Sequence, residues 1–228
     1  MALVDLWPLL GLRITTPRLE LRIPDDADLA ELVEVARAGV HHPDTMPFAV
    51  PWTELASPEF ERSALQYHWR CRADFSPARW DLGFVVVLEG RVIGMQSLHT
   101  VNFPTLRSIE TGSWLGLAYQ GCGIGKEMRG AVVDFAFEHL GARTVTSGSF
   151  EDNIASQRVS IATGYELNGV DSMLRRGAPA LHLRFRLTRE RWAAMRSGVS
   201  TEVAGFDQCR SMFGLDDPTS LANPTGNQ

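Results

Sequence analysis

The chain has little cysteine. Its 228 residues include three, Cys71, Cys122 and Cys209, and these lie far apart. No pair has the CxxC or Cys/His spacing of a zinc site, and an odd number of distant thiols provides no disulfide framework. We therefore expect reduced thiols, no metal and a cytoplasmic protein.

An excess of positive charge and long apolar runs are also missing. The formal net charge is −5 at pH 7, which gives no general attraction to nucleic acid or to anionic membranes. Residues 1–11 are apolar, but they carry Asp5 and Pro8, lack a basic leader and are too few to span a membrane. We expect no nucleic-acid or membrane partner, and we expect this segment to pack on the domain.

Hydrophobic periodicity predicts one α/β domain over residues 12–197. Alternating residues predict a strand near residues 14–23 and three consecutive strands before residue 120, the first two joined by a turn at Glu89-Gly90. Residues 198–228 are polar, carry Gly, Pro and Asn, and have no clear period, so we expect a tail. The predicted helix starts are Asp25 or Asp26, Glu59, Lys126 and Asn153.

The densest glycine cluster is YQGCGIGKEM, residues 119–128, between a predicted strand and a predicted helix. Glycines there let backbone amides converge on a phosphate. A nucleoside-triphosphate loop does not fit, because Gln120 stands where its first glycine is needed and Glu127 where a hydroxyl holds magnesium. The dinucleotide fingerprint does not fit either, because Lys126 occupies its last glycine position. A tight helix entry with no ligand is the structural alternative.

Acyl coenzyme A fits the cluster better. Gln120-x-x-Gly123-x-Gly125 resembles the [Q/R]-x-x-G-x-[G/A] signature of the GNAT acyl-CoA N-acyltransferases, and NIASQRVSIATGYELNG resembles a second segment of that family. IETGSWLG, TPRLELR and LTRERW resemble the branch that acylates ribosomal-protein N-termini, the Rim-type branch. The resemblance covers residues 12 to 195. It implies the GNAT fold, an α/β (α+β) domain whose mixed, mostly antiparallel sheet of about seven strands is flanked by helices.

The resemblance also implies a donor site. Two neighbouring strands splay apart, and the pantetheine arm of the acyl-CoA lies between them like an added strand. Main-chain contacts to it are implied at Ser113, Trp114 and Leu115. Asn153 would contact the pantetheine or its loop, and the Ser156 hydroxyl would hydrogen-bond the leaving thiolate. The implied pyrophosphate-binding residues are Gln120, Gly121, Cys122, Gly123, Ile124, Gly125 and Lys126.

The implied reaction is direct attack of a primary amine on the thioester while both substrates are bound. The usual acid and base do not carry over, because Gly148 stands where many relatives have a glutamate and Ser160 where many have a tyrosine. Glu110 is the remaining acidic candidate for the base or for orienting the amine, and a structural carboxylate is its alternative. His99 could face the cleft or be a satisfied core residue, and we expect the second.

The identity of both substrates stays open in the sequence. The donor could be acetyl-CoA or succinyl-CoA, and Arg175 or Arg176 at a predicted hairpin tip could pair with a succinyl carboxylate. The acceptor could be a protein N-terminus, a lysine or a small amine, and an α-amino group is the easiest to deprotonate, with a pKa of about 8 against about 10.4 for lysine. A homo-oligomer is also open. The alternative function is a non-catalytic acyl-CoA-binding or sensing module, which the missing glutamate and tyrosine favour.

Overall fold

The structure is a computed structural model that describes residues 1–195 and 201–215. The described strands are β1 (Arg13–Thr15), β2 (Leu19–Arg22), β3 (Arg79–Leu88), β4 (Arg91–Val101), β5 (Ser108–Leu115), β6 (Thr144–Phe150), β7 (Glu166–Arg175), β8 (Ala178–Thr188) and β9 (Glu202–Ala204). The described helices are α1 (Leu3–Leu6), α2 (Asp26–Arg37), α3 (Glu59–Ala73), α4 (Phe103–Leu106), α5 (Ile124–Glu138), α6 (Ile154–Thr163), α7 (Arg189–Met195) and α8 (Phe206–Cys209). Short 3-10 turns lie at Pro8–Gly11, Trp52–Glu54, Leu117–Tyr119 and Arg210–Phe213.

All described strands form one mixed sheet in the order β7-β8-β6-β5-β4-β3-β2-β1-β9. Every neighbouring pair is antiparallel except β5 and β6, which are parallel. The predicted mixed, mostly antiparallel sheet is confirmed. It has nine strands because the first predicted strand divides into β1 and β2, and because β9 adds to the edge.

The parallel pair separates towards its C-terminal end. Its pairing runs from Ser108 with Thr144 to Thr111 with Ser147 and then stops. Residues 112–115 of β5 still pair with β4, and the end of β6 still pairs with β8. A gap therefore opens inside the sheet between β5 and β6, and we call it the splay.

Helices cover both faces of the sheet. Helix α5 packs through Val132 and its neighbours against Ile109 of β5 and Val145 of β6 in the main core. Helix α2 packs on the opposite face, where Leu29 contacts a smaller cluster that includes Val92. We call the two sides the α5 face and the α2 face.

Two helices begin at or next to their predicted starts, each behind a capping side chain. The side chain of Asp25 accepts a hydrogen bond from the backbone N–H of Asp28 at the start of α2, and Asn153 accepts one from the N–H of Ser156 at the start of α6. Each cap satisfies an N–H group that the first turn of a helix leaves unbonded. The second cap also fixes where α6 begins relative to the end of β6.

The apolar segment of residues 1–11 packs on the domain only in part. Helix α1 is exposed along its whole length, whereas Leu9 is buried in the main core. Trp7 packs edge-on against Phe75, with ring centroids 6.1 Å apart. The segment is therefore anchored through its second half.

The predicted polar tail is wrong for residues 201–215. Strand β9 pairs with β1, and Phe206 and Phe213 are buried in the main core. Strand β9 and helix α8 are too short to show a hydrophobic period, so the sequence pattern did not predict them. The other residues of the predicted tail, 198–200 and 216–228, lie outside the described residues.

Candidate active site

The glycine cluster forms the connection from β5 to α5. Gly121 and Gly123 have φ angles of 76° and 79°, a left-handed conformation that residues with a Cβ rarely adopt. Gly123 is the N-cap of α5. The first turn of α5 therefore lies at the wide end of the splay, where its free N–H groups and the positive end of the helix dipole favour an anion.

Two other residues of the signature shape this loop. The side-chain amide of Gln120 donates to the carbonyl oxygens of Val40, at 2.8 Å, and Leu115, at 2.9 Å. A Cβ on Gly125 would lie 3.3 Å from a methyl group of Val159 in α6. Gln120 thus ties the loop to the end of β5, and Gly125 lets α5 and α6 pack closely.

Arg18, the residue before β2, reaches the loop, and no pattern in the sequence singled it out. Its Nη1 donates to the carbonyl of Cys122 at 3.3 Å, and its Nε donates to Glu127 at 2.6 Å. Its Nη2 lies 3.7 Å from the position that a Cβ on Gly123 would occupy. With Lys126, the chain's only lysine, Arg18 places a second positive charge where a pyrophosphate is expected.

Main-chain groups of β5 line the splay, although not those of all three predicted residues. The carbonyl oxygen of Trp114 lies 2.4 Å from the position of a Cβ on Gly94, so it faces β4 and not the splay. Since backbone groups of successive strand residues point to opposite neighbours, those of Ser113 and Leu115 face the splay. The carbonyl oxygen of Leu115 already accepts a hydrogen bond from Gln120. Only the N–H group of Leu115 is therefore available to a ligand. The expected main-chain contact from Trp114 does not fit this geometry.

Arg129 of α5 closes the splay on the α5 face. It is 2% exposed, and its two terminal nitrogens donate to the hydroxyls of Ser147 and Ser113, each at 2.9 Å. Its guanidinium lies 6.0 Å from the centre of the Tyr165 ring. Within the described residues no carboxylate pairs with it. The helical pattern alone did not predict a buried cation here.

Buried polar atoms without a protein hydrogen-bond partner gather on the elements around the splay. In the described part of the chain they include Gln96 Oε1 on β4, Arg129 Nε, Ser149 Oγ on β6 and Ser160 Oγ on α6. Such atoms are uncommon in native proteins and need an explanation. A ligand rich in amide and carbonyl groups, such as a pantetheine arm, would supply the missing partners.

On the α2 face of the splay, Gly112 and Gly148 contribute no side chains of their own. The imidazole of His182, from β8, occupies the space above Gly148, where a Cβ would lie 2.2 Å from Cε1 and 2.7 Å from Nε2. Burial lowers the pKa of His182 below its ordinary value, against the opposing influence of the Glu110 and Asp171 carboxylates. The sequence showed a missing glutamate at Gly148 but gave no sign of this histidine.

The predicted acidic candidate lies on the same face. Glu110 is exposed, and it is paired across β4 and β5 with His99. His99 is half-buried on this face, so it belongs to the cleft side of the sheet and not to the core beneath α5. Tyr165, in contrast, is buried, and burial raises its pKa.

Asn153 and Ser156 lie where α6 begins, beside the end of β6. The side-chain oxygen Oδ1 of Asn153 caps the helix by accepting a hydrogen bond from the N–H of Ser156. The Ser156 side chain is half-buried, and its hydroxyl has no hydrogen-bond partner among the described residues. Ser156 is therefore free to meet a ligand at the splay, and its contact with the thioester sulfur stays a prediction.

A cavity of about 480 Å³ lies beside the site on the α2 face. Arg37, Val40, His41, Glu54, Phe60 and Arg176 are among its lining residues. Arg176, at the tip of the β7-β8 hairpin, is ion-paired with Glu54. Arg175 pairs with Asp152 at 2.7 Å. Both arginines that the sequence offered for an acyl carboxylate are therefore already engaged with protein carboxylates.

The glycine loop, the splayed parallel pair and the buried groups around the gap point to one family. Residues 18–166 match the profile of a family described as "Acetyltransferase (GNAT) domain". The chain belongs to the GNAT acetyltransferase family. A curated relative, the "Probable N-acetyltransferase YjcK" of Bacillus subtilis (strain 168), is 30% identical over 91 residues. That match covers 40% of this chain and 50% of the relative, so it spans about half of the relative's length.

Solved structures share the fold of this GNAT domain. Mycobacterium smegmatis RimJ in complex with CoA-disulfide superposes with a TM-score of 0.69, at 20% identity over 90% of this chain and 95% of that chain. The ribosomal-protein-S5-alanine acetyltransferase from Vibrio fischeri gives a TM-score of 0.62, at 19% identity over 79% and 98%. At these identities both likenesses show a shared fold.

Two further features of the described residues bear on partners. No helix in 1–195 or 201–215 is long and apolar enough to cross a bilayer. The same ranges contain no group of three or more His, Cys, Asp and Glu side chains arranged to hold a metal ion.

Proposed function

We propose that the protein is an acyl-CoA-dependent N-acyltransferase, which moves an acetyl or succinyl group from CoA to a primary amine by direct attack in a ternary complex. The observation that carries this proposal is the splay. Arg129 closes it on one face, and glycine leaves it open on the other, so an amine can reach a thioester held inside it. On that face Gly112 contributes no side chain, and the imidazole of His182 lies over Gly148.

The donor would enter along the edge of β5. The pantetheine arm would bond to the main chain of Ser113 and the N–H of Leu115, as an added strand does. The pyrophosphate would lie at the first turn of α5, where residues 121–126 provide amides and Arg18 and Lys126 provide charge. The RimJ neighbour, which shares the fold, is in complex with CoA-disulfide, and this supports a CoA compound as the ligand.

The amine acceptor would come from the α2 face. The cavity lined by Glu54 and His41 lies on this face, and the exposed carboxylate of Glu110 would attract an ammonium group. The leading acceptor is a protein N-terminus, because the Vibrio fischeri neighbour is named a ribosomal-protein-S5-alanine acetyltransferase and because an α-amino group loses its proton more easily than lysine. Lysine side chains and small amines are the further acceptors to test.

The chemistry would rest on orientation and proton transfer. Binding both substrates in line supplies much of the acceleration. Ser156 would donate a hydrogen bond to the sulfur as the thiolate leaves, and Glu110 would orient the amine. The free thiols of Cys71, Cys122 and Cys209 support a cytoplasmic location.

The choice between acetyl and succinyl depends on a cation near the acyl group. Arg175 and Arg176 hold Asp152 and Glu54, whereas the buried Arg129 holds only hydroxyls. A buried guanidinium gains most from a carboxylate partner. This supports a donor whose acyl group ends in a carboxylate, and it makes succinyl-CoA the first comparison with acetyl-CoA.

The test is a thermal-shift series with CoA, acetyl-CoA, succinyl-CoA and ATP-magnesium, followed by CoA-thiol release with a panel of peptides and amines. A ligand at 100 times its dissociation constant stabilises by about 2.7 kcal/mol, which raises the melting temperature of a domain of this size by roughly 5–10 °C. Shifts with CoA compounds but not with ATP, together with thiol release, support the transferase. CoA binding without thiol release from any amine supports the non-catalytic acyl-CoA-binding module instead.

A further inference from the structure

We infer that His182 is the general base of the reaction, accepting the proton of the attacking amine through Nε2 in the space that Gly148 leaves empty. The inference rests on the proposed N-acyltransferase function. Gly148 stands where many relatives have a glutamate. In this chain the base at that place is a side chain from the neighbouring strand β8.

The sheet register brings His182 to this position. His182 is opposite Phe150 across β6 and β8, and Gly148 is opposite Arg184, so all four residues lie on the α2 face. From there the imidazole leans over Gly148, and its Cε1–Nε2 edge comes closest to that residue. Gly148 follows Ser147, the last β6 residue that pairs with β5, so the ring lies at the mouth of the splay.

Glycine at residue 148 is required for this arrangement. Its φ is outside the left-handed region, so backbone conformation does not demand glycine. The reason lies in the close approach, since any Cβ would overlap the ring at 2.2 Å. The imidazole of His182 on β8 therefore occupies the space that a side chain at residue 148 of β6 would fill.

The surroundings of His182 suit a proton acceptor. Among the described residues neither ring nitrogen has a hydrogen-bond partner, and the ring packs edge-on against Phe150 at 5.2 Å. The charged groups that face it are Glu110 on β5 and Asp171 on β7, and Asp171 is held by Arg184 at 2.9 Å. Burial outweighs these carboxylates and lowers the pKa of His182, so the imidazole is neutral at pH 7.

The proton and electron movements balance. The ammonium form of the acceptor gives one proton to His182 Nε2, and the freed nitrogen lone pair forms the C–N bond to the thioester carbon. The C–S bond breaks, and the CoA thiolate takes the second proton from the nitrogen of the adduct. The imidazolium then releases its proton to solvent. The products are the amide, CoA with a free thiol and one proton.

The test compares His182→Gln with the wild type, using the CoA donor and peptide that turn over fastest. We expect kcat/KM at pH 7 to fall about 100-fold, because general base catalysis contributes 10²–10⁴-fold, while the CoA dissociation constant stays the same. The wild-type kcat/KM should decline only below pH 6.5, the ordinary pKa of histidine, and His182→Gln should lose this limb. His68→Gln is the matched control, since His68 is also half-buried with a lowered pKa but lies on α3 beside Trp7.

A rescue variant separates a chemical role from a structural one. Gly148→Ala should displace the imidazole and reduce kcat/KM as His182→Gln does. Gly148→Glu in a His182→Ala background places a carboxylate in the vacated space and should recover at least 10-fold of the lost rate.

The outcomes distinguish the two proposals. Wild-type turnover that His182→Gln leaves unchanged in rate and pH profile overturns the role of His182 alone. Absence of CoA binding or of any turnover in the wild type overturns the transferase proposal itself.

Discussion

Arg18 and Glu127 form an ion pair that joins the start of β2 to the first turn of α5. Arg18 Nε lies 2.6 Å from Glu127 Oε2, and the Thr16 hydroxyl donates to the other carboxylate oxygen at 2.6 Å. Glu127 is nearly buried, whereas the Arg18 side chain is 46% exposed. The carboxylate thus anchors a partly exposed guanidinium beside Gly123, where it can meet the pyrophosphate of CoA.

Replacing Arg18 by glutamine should weaken CoA binding about 10- to 100-fold, since a charge-assisted hydrogen bond contributes about 1.5–3 kcal/mol. Isothermal titration with CoA gives the dissociation constant. The kcat/KM for an N-acetylcysteamine thioester, which lacks the pyrophosphate, should not change.

Arg13→Gln is the control for that change, because Arg13 is a similarly exposed arginine on the neighbouring strand β1, 3.8 Å from Glu20. CoA affinity should be the same as in the wild type. An equal loss of rate with the truncated thioester in Arg18→Gln would contradict a role at the pyrophosphate.

The glycines of the loop should respond differently to alanine. Gly123→Ala places a Cβ on a residue with φ of 79°, which costs about 1–2 kcal/mol and lowers the melting temperature by roughly 3–6 °C. Gly125→Ala has no such strain but meets Val159 at 3.3 Å, so Val159→Ala should restore its stability in a double-mutant cycle.

The matched control is Gly130→Ala in the same helix, where a Cβ would meet nothing within 4 Å. It should raise stability by about 0.4–1 kcal/mol, because alanine reduces the entropy of the unfolded chain. Thermal unfolding of the three glycine variants, of Val159→Ala and of the Gly125→Ala/Val159→Ala double variant checks the series. A loss in Gly130→Ala similar to that in Gly123→Ala would show that the loop geometry is not the cause.

Local patterns in the sequence were enough for the loop and most of the fold. Glycine spacing, a capping residue such as Asn153 and alternating apolar residues depend on neighbours within a few positions. They predicted the β5–α5 connection, the start of α6 and the three consecutive strands β3, β4 and β5.

The residues missed at the site come from long-range pairing. Arg18, Arg129 and His182 reach the splay because β2 lies near α5, because α5 lies beneath β5 and β6, and because β8 pairs with β6. The hydrophobic periodicity of a segment does not tell which strands will be neighbours in the sheet. The absence of a glutamate at Gly148 was readable, but its replacement required the register of β6 with β8.

Arg129→Met tests the proposed succinyl donor. Loss of the guanidinium should lower kcat/KM for succinyl-CoA about 10- to 100-fold and change that for acetyl-CoA less than about 3-fold, since only the former loses a charge-assisted bond. The melting temperature should stay the same or rise, because an apolar side chain of similar volume replaces a buried cation without a carboxylate partner.

Arg175→Met is the control for donor choice. Arg175 is committed to Asp152 and to the carbonyl of Met46, so its replacement should leave the succinyl-to-acetyl ratio unchanged. A ratio that moves in Arg175→Met and not in Arg129→Met would place the acyl carboxylate at the hairpin tip instead.

The C-terminal residues 201–215 should be part of the stability unit of the acyltransferase domain. Phe213 is fully buried and packs edge-on against Trp80 and Phe75, with ring centroids 5.5 Å and 5.6 Å away. Phe213→Ala should cost about 3–5 kcal/mol and lower the melting temperature by roughly 6–15 °C. Leu181→Ala, at a side chain that is 47% exposed, should stay within about 0.5 kcal/mol of the wild type. Differential scanning calorimetry measures both, and a wild-type melting temperature for Phe213→Ala would mean that this segment does not belong to the core.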